Sequence, residues 1–175
     1  MPRDSLLGEL NRGWYVATAT LDFERSGIQR VIGSLRTYEL LVDYARETKA
    51  AFRGRSRPLL ADPLVRHKLA DLKIEFEVGR LLSYRVAWMQ GQGQIPNYEA
   101  SASKMYGSEL AQRLANAGVR ILGLGGQLAP GSRWAPLAGR IESLYLSASA
   151  LTVAAGTSEV QRNIIAGRGL ALPRD

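Results

Sequence analysis

The chain has 175 residues, a hydrophobic fraction of 46% and 22% charged residues, which suits one folded domain rather than a disordered chain. It has no cysteine, so disulfides and thiolate metal sites are excluded. Its formal net charge of +7 comes mainly from arginine, but no zinc-finger spacing, aromatic RNA-binding strand or long basic run accompanies it. Nucleic acid is therefore not expected as a partner, whereas a phosphate-bearing small molecule is compatible with the charge.

Residues 1–10, "MPRDSLLGEL", carry no signal-peptide core, and no apolar run of about 18 residues follows. No membrane span is expected, and the expected location is cytoplasmic. A first helix is expected to begin between Asn11 and Trp14 and to run to about Phe52. Its apolar stripe is Leu21, Ile28, Val31, Leu35, Tyr38, Val42 and Ala45. Glu24 completes the three-four alternation of that stripe. Two readings of Glu24 are open: a half-exposed carboxylate paired with Arg25 or Arg30, or a base in an apolar site. Burial disfavours a charged carboxylate and raises its affinity for a proton. Spacing does not choose between them.

The second helix has a clear start, with Asp62 as a cap for backbone N–H groups and Pro63 in the first helical position. Val65, Leu69, Leu72, Phe76 and Gly79 form one apolar face, and Ile74, Val78 and Leu81 a second. A helix apolar on two faces is expected to pack on both. It stops at "QGQGQIP". The third helix is expected to be capped by Asn97 and to bury Ala100, Ser103, Gly107, Leu110, Leu114, Ala117 and Ile121. The loop "GLGGQLAPG", from Gly123 to Gly131, can hold a phosphate through backbone N–H groups, but matches neither a P-loop nor a dinucleotide fingerprint. Further helices are expected over Gly139–Ala150 and Ser158–Gly167, and no strand is expected. The predicted fold is all-α, a four-helix up-and-down bundle with an additional short C-terminal helix.

His67 is the only histidine, so a Ser-His-Asp or Cys-His nucleophile is not expected, and the Glu-x-x-His pairs of a di-iron bundle are missing. No metal is expected. In "AAGTSEVQRNIIAGRGLALPR", Gly156 permits close approach of a ligand, and Thr157 and Ser158 can cradle an anion. The same residues also read as an ordinary capped helix.

That last stretch resembles the C-terminal signature of acyl-CoA dehydrogenases. The likeness continues along the chain in the family's order, through "PRDSLLGELNRGW", "LDFERSGIQRVIGSL", "PLVRHKLADLKIEFEVGRLL" and "ASKMYGSELAQRLANAGVRILGLGG". The resemblance implies that residues 1–175 are the family's C-terminal helical domain, without its N-terminal helical and middle β-domains. It also implies FAD as cofactor and an acyl-CoA substrate that is desaturated between its α and β carbons. A homo-oligomer, dimer or tetramer, or a mixed dehydrogenase assembly is implied as well. Many family members carry the base just before "GTSE", where this chain has Ala155. A subgroup similar to isovaleryl and long-chain enzymes carries it as the Glu of "LDxER", the position of Glu24. By resemblance, Glu24 is the catalytic base. Asp22, Phe23, Arg25, Ala155 and Gly156 then line the substrate. Thr157, Ser158 and Glu159 meet FAD, as do Arg120, Ile121, Leu122, Gly123 and Leu124 from a neighbouring subunit. Compared with the family, a glutamine is replaced near Pro63, and Arg120 stands where the family often has glutamine. The alternative to a catalytic domain is a helical assembly subunit that supports a partner dehydrogenase chain.

Overall fold

The computed structural model describes residues 2–25, 28–52 and 55–173, with the backbone alone described at residues 3, 19, 21–25 and 52. Six α-helices and one hairpin are present among them: α1 (Gly13–Arg25), α2 (Gln29–Glu47), β1 (Lys49–Phe52), β2 (Arg55–Pro58), α3 (Pro63–Gly91), α4 (Tyr98–Leu122), α5 (Arg140–Val153) and α6 (Ser158–Ile164). The result is the expected all-α, four-helix up-and-down bundle, built from α2, α3, α4 and α5, with α6 as the short C-terminal helix.

Two expectations are corrected in the first third of the chain. The single helix expected to reach Phe52 is two helices, α1 and α2. Its expected last turn is instead a strand. Here β1 pairs antiparallel with β2, with Ala50 opposite Arg57 and Ala51 opposite Ser56. The backbone N–H of Leu59 closes the base of the hairpin on the Thr48 carbonyl at 2.9 Å. The described side chains of both strands are exposed, so no alternation of apolar and polar residues was there to mark them.

The core lies between α2, α3 and α4. Val31, Tyr38, Leu41 and Ala45 meet Leu69, Leu72 and Phe76 of α3 and Leu110, Leu114 and Ala117 of α4. Small residues set the spacing at one end: a Cβ on Gly79 would sit 3.1 Å from Val31, and one on Gly107 3.3 Å from Arg30. Tyr38 packs on Phe76 with ring centroids 5.2 Å apart, and its hydroxyl donates to the Leu69 carbonyl at 3.0 Å. Tyr38→Phe keeps the ring packing and loses that bond. It is expected to cost about 1 kcal/mol in a thermal or urea melt, the net worth of a typical buried hydrogen bond.

Asp62 caps α3 as expected, accepting from the Leu64 N–H at 2.9 Å. Asn97 does not cap α4. Its φ and ψ of −114° and −80° depart from the extended backbone that a capping side chain needs. The stripe expected on α4 is buried from Ala100 to Ala117. On α3 only one of the two apolar faces is covered. Leu69, Leu72, Phe76 and Gly79 are buried, whereas Ile74 is 63% and Leu81 62% exposed, with Tyr84 and Trp88 exposed beside them. Among the described residues nothing covers that second face. Among the described residues no helix is long and apolar enough to cross a membrane.

Candidate functional site

The turn between α5 and α6 has an unusual backbone. Ala155 has φ +57° and Gly156 φ +93°, so two successive residues adopt the left-handed conformation. Glycine does so freely, whereas alanine does so at a steric cost. The carbonyls of this turn lie between helices and need partners outside the helix ladder. The Nζ of Lys104 on α4 donates to the Gly156 carbonyl at 2.7 Å. The Nε2 of Gln161 donates to the carbonyls of Ala155, at 3.1 Å, and Gly156, at 3.2 Å. Lys104 and Gln161 are both fully buried. Two carbonyl acceptors on one side of the Gln161 amide fix its nitrogen on that side.

Thr157 opens α6 as its cap, its hydroxyl oxygen accepting from the Val160 N–H at 3.3 Å. Ser158 is buried, and Glu159 is exposed. The Glu159 carboxyl is held below its ordinary range, chiefly by its own backbone N–H and next by the Thr157 hydroxyl. Thr157, Ser158 and Glu159 border a cleft of about 550 Å³ whose far wall is α4. An ion-pair chain crosses that wall: Arg162 Nη2 meets Glu109 Oε1 at 2.6 Å, and Arg113 pairs with Glu75.

A second cleft, of about 760 Å³, lies between the start of α3 and the end of α4. Leu64, Val65, Ala117 and Ile121 make its apolar wall, and Lys68, Asn116 and Arg120 its polar rim. Among the described residues no carboxylate forms an ion pair with Lys68 or Arg120. Arg113 borders both clefts, one on each side. Two cations above an apolar wall suit a phosphate-bearing molecule with a flat ring system. The residues expected to meet a cofactor are thus divided. Arg120 and Ile121 line the second cleft, while Leu122 is half-buried and Gly123 and Leu124 are exposed just past it. Thr157, Ser158 and Glu159 line the first.

Asp22, Phe23, Glu24 and Arg25 form the end of α1, and their side chains lie outside the described residues. Four residues on, Gln29, Gly33 and Ser34 of α2 face Ala111, Leu144 and Leu151 across a third cleft of about 410 Å³. His67 is exposed on α3. The two buried donors beneath the turn, Lys104 and Gln161, were not singled out from the sequence. The signal for Lys104 is in the sequence: a lysine four residues after Ala100 on a face of small buried residues, an anomaly of the same kind as Glu24 on its stripe.

Comparison with known proteins agrees with this geometry. The family model for the acyl-CoA dehydrogenase C-terminal domain matches residues 11–170. The human mitochondrial short-chain specific acyl-CoA dehydrogenase is 33% identical over 171 residues, covering 95% of this chain and 38% of that protein. The acyl-CoA dehydrogenase FadE26 of Mycobacterium tuberculosis is 34% identical over 181 residues, covering 99% of this chain and 44% of that protein. Among solved structures, the Tcur3481-Tcur3483 steroid ACAD superposes with a TM-score of 0.85 at 31% identity, covering 100% of this chain and 44% of that one. The ChsE4-ChsE5 complex from Mycobacterium tuberculosis gives 0.83 at 32% identity, covering 100% and 45%. This chain therefore spans less than half the length of the relatives it matches. With the family model matching residues 11–170 and relatives at 33–34% identity covering 95% or more of it, the chain belongs to the acyl-CoA dehydrogenase family, of which residues 11–170 are the C-terminal domain.

Proposed function

We propose that this chain supplies the base and part of the flavin site for α,β-desaturation of an acyl-CoA thioester, in an assembly completed by other domains or chains. The observation that carries the reading is Ala155. It occupies the left-handed turn before Gly156-Thr157-Ser158-Glu159, where many members of the family place their carboxylate, and its methyl group cannot take a proton. The chemistry then needs a base from elsewhere, and Glu24, near the end of α1, matches the position used by the other subgroup.

FAD is the cofactor that this reading requires. When bound, FAD supplies the acceptor for the hydride that leaves the β carbon. The residues present fit such a group: the Lys68 and Arg120 rim answers a diphosphate, and the wall of Leu64, Val65 and Ile121 answers an apolar ring. The protein's own work is positional. Glu24 takes the α proton, Ala155 and Gly156 give the thioester a surface without bulk, and Asp22, Phe23 and Arg25 flank it. Holding the reacting atoms together and excluding water account for much of the acceleration in such a site.

The test uses the native assembly containing this chain. FAD is titrated by flavin absorbance, and the bound flavin is mixed anaerobically with branched, straight-chain and steroid-derived acyl-CoA thioesters. Bleaching by at least one of them is expected, and none by free CoA. A flavin that no thioester bleaches would refute the reading. The Lys68→Glu/Arg120→Glu double variant is expected to weaken FAD binding by about 10²-fold or more, since two favourable phosphate contacts become repulsive.

A second reading has its own support. By the family resemblance a glutamine is replaced near Pro63 and another by Arg120, and two of the structural neighbours are two-component proteins. On that reading the chain completes a partner subunit's flavin site. A chain that stays colourless with FAD alone, but restores flavin binding to a partner dehydrogenase chain, would favour it.

A further inference from the structure

We infer that Lys104 and Gln161 are positioning residues for the substrate-facing turn. They hold the carbonyls of Ala155 and Gly156 inward, so that the opposite face of the turn is presented to the ligand. This inference rests on the proposed function for what the turn contacts, but its structural half stands apart from it.

The geometry has three parts. First, the turn has no regular structure of its own, with α5 ending at Val153 and α6 beginning at Ser158. Second, among the described residues its two carbonyls accept from Lys104 at 2.7 Å and from Gln161 at 3.1 and 3.2 Å. Third, both donors are fully buried, and they come from different helices, α4 and α6. A trans peptide unit carries its C=O and N–H in opposite directions. Carbonyls drawn into the α4–α6 seam therefore turn the N–H groups of Gly156 and Thr157 away from it.

An ammonium group is a costly way to fill a core position. A methionine would occupy similar volume without removing a charge from water. Among its contacts the ammonium makes a short, charge-assisted bond to the Gly156 carbonyl, and so helps fix a peptide that alanine's left-handed φ would otherwise disfavour. Gln161 adds the second point of attachment, which a single donor cannot provide: one bond lets the turn pivot, and bonds to two successive carbonyls stop it. The backbone at Ala155 and Gly156 is thus set by residues that never touch the substrate.

The experiment compares Lys104→Met and Gln161→Met with the wild-type chain in its native, flavin-loaded assembly. Gln161→Met breaks the same attachment without altering a buried charge, so it remains informative where Lys104→Met fails to fold. Hydrogen exchange is followed in the peptide spanning residues 154–164 and in peptides from α2 and α3. Flavin reduction by the best acyl-CoA is measured in single turnover, with rate and Kd separated. Faster exchange confined to residues 154–164 is expected in both variants. The rate is expected to fall by about 10²-fold for Lys104→Met, the usual cost of a displacement of about 1 Å, with Kd changed less than about threefold. Unchanged exchange in that peptide would overturn the attachment. Faster exchange with an unchanged rate would overturn the positioning role. Exchange raised throughout the bundle in both variants would make the pair structural supports and overturn it too. If no acyl-CoA reduces the wild-type flavin, the proposed function fails, while the exchange data still decide whether these two side chains set the turn.

Discussion

Glu24→Gln is expected to slow flavin reduction by acyl-CoA by about 10²–10⁴-fold, the range that a positioned general base contributes. Glutamine matches glutamate in shape and keeps the hydrogen-bonding reach of the side chain, but its amide cannot accept a proton. Flavin binding, read by absorbance, and acyl-CoA binding, read by equilibrium titration, are expected to stay within a few-fold of wild type. Ala155 makes the experiment sharper. Its φ of +57° already accommodates a Cβ, so Ala155→Glu introduces a carboxylate without a new backbone demand. In the double variant Glu24→Gln/Ala155→Glu, part of the lost rate is expected to return, because the base reappears where many family members carry it. A Glu24→Gln assembly that reduces its flavin at the wild-type rate would remove Glu24 from the chemistry.

What the sequence revealed and what it concealed follow the same physical line. Burial writes periodicity into a helix, so the α4 stripe from Ala100 to Ala117 and the Leu69, Leu72, Phe76 face of α3 could be read directly. Local side-chain chemistry was legible where the backbone obliged, as with Asp62 ahead of Pro63. It misled at Asn97, whose backbone turns away from the capping conformation. The hairpin was hidden because the described side chains of "KAAF" and "RSRP" are solvent-exposed, and an exposed ribbon leaves no alternating pattern. The division between α1 and α2 was hidden because the three-four spacing runs on through Ile28 and Val31. The second apolar face of α3 has the pattern of a packed face, yet among the described residues it is bare. Apolar periodicity marks a face as suited to burial and does not say what buries it. The site itself was legible only in part. Thr157 as a cap could be read from sequence, whereas the hold of Lys104 and Gln161 on the turn depends on contacts 52 and 5 residues away in sequence.

Gly139→Ala is expected to be among the most destabilising single-methyl additions in the domain. Gly139 caps the start of α5 in the left-handed conformation, with φ +78°. A Cβ built there would lie 2.5 Å from the Pro130 nitrogen and 2.8 Å from its Cα. Those are backbone atoms of a proline, so no side chain can swing aside; the loop or the helix start must move. Overpacking of this kind costs about 1–3 kcal/mol, and a left-handed φ on a residue with a Cβ about 1–2 kcal/mol more. A loss of about 2–5 kcal/mol is therefore expected in denaturant unfolding, a large part of a domain's total stability of about 5–15 kcal/mol. The effect is also directional. Leu137 and Ala138 already hold φ of +53°, so the segment ahead of α5 has no slack on that side. Strain is relieved more readily by displacing α5, whose C-terminal end leads through Ala154 into the Ala155–Gly156 turn. A melt that shifts by less than about 0.5 kcal/mol would show that the loop at Pro130 yields freely. It would also remove the argument that the long connection after α4 fixes where α5, and with it the turn, begins.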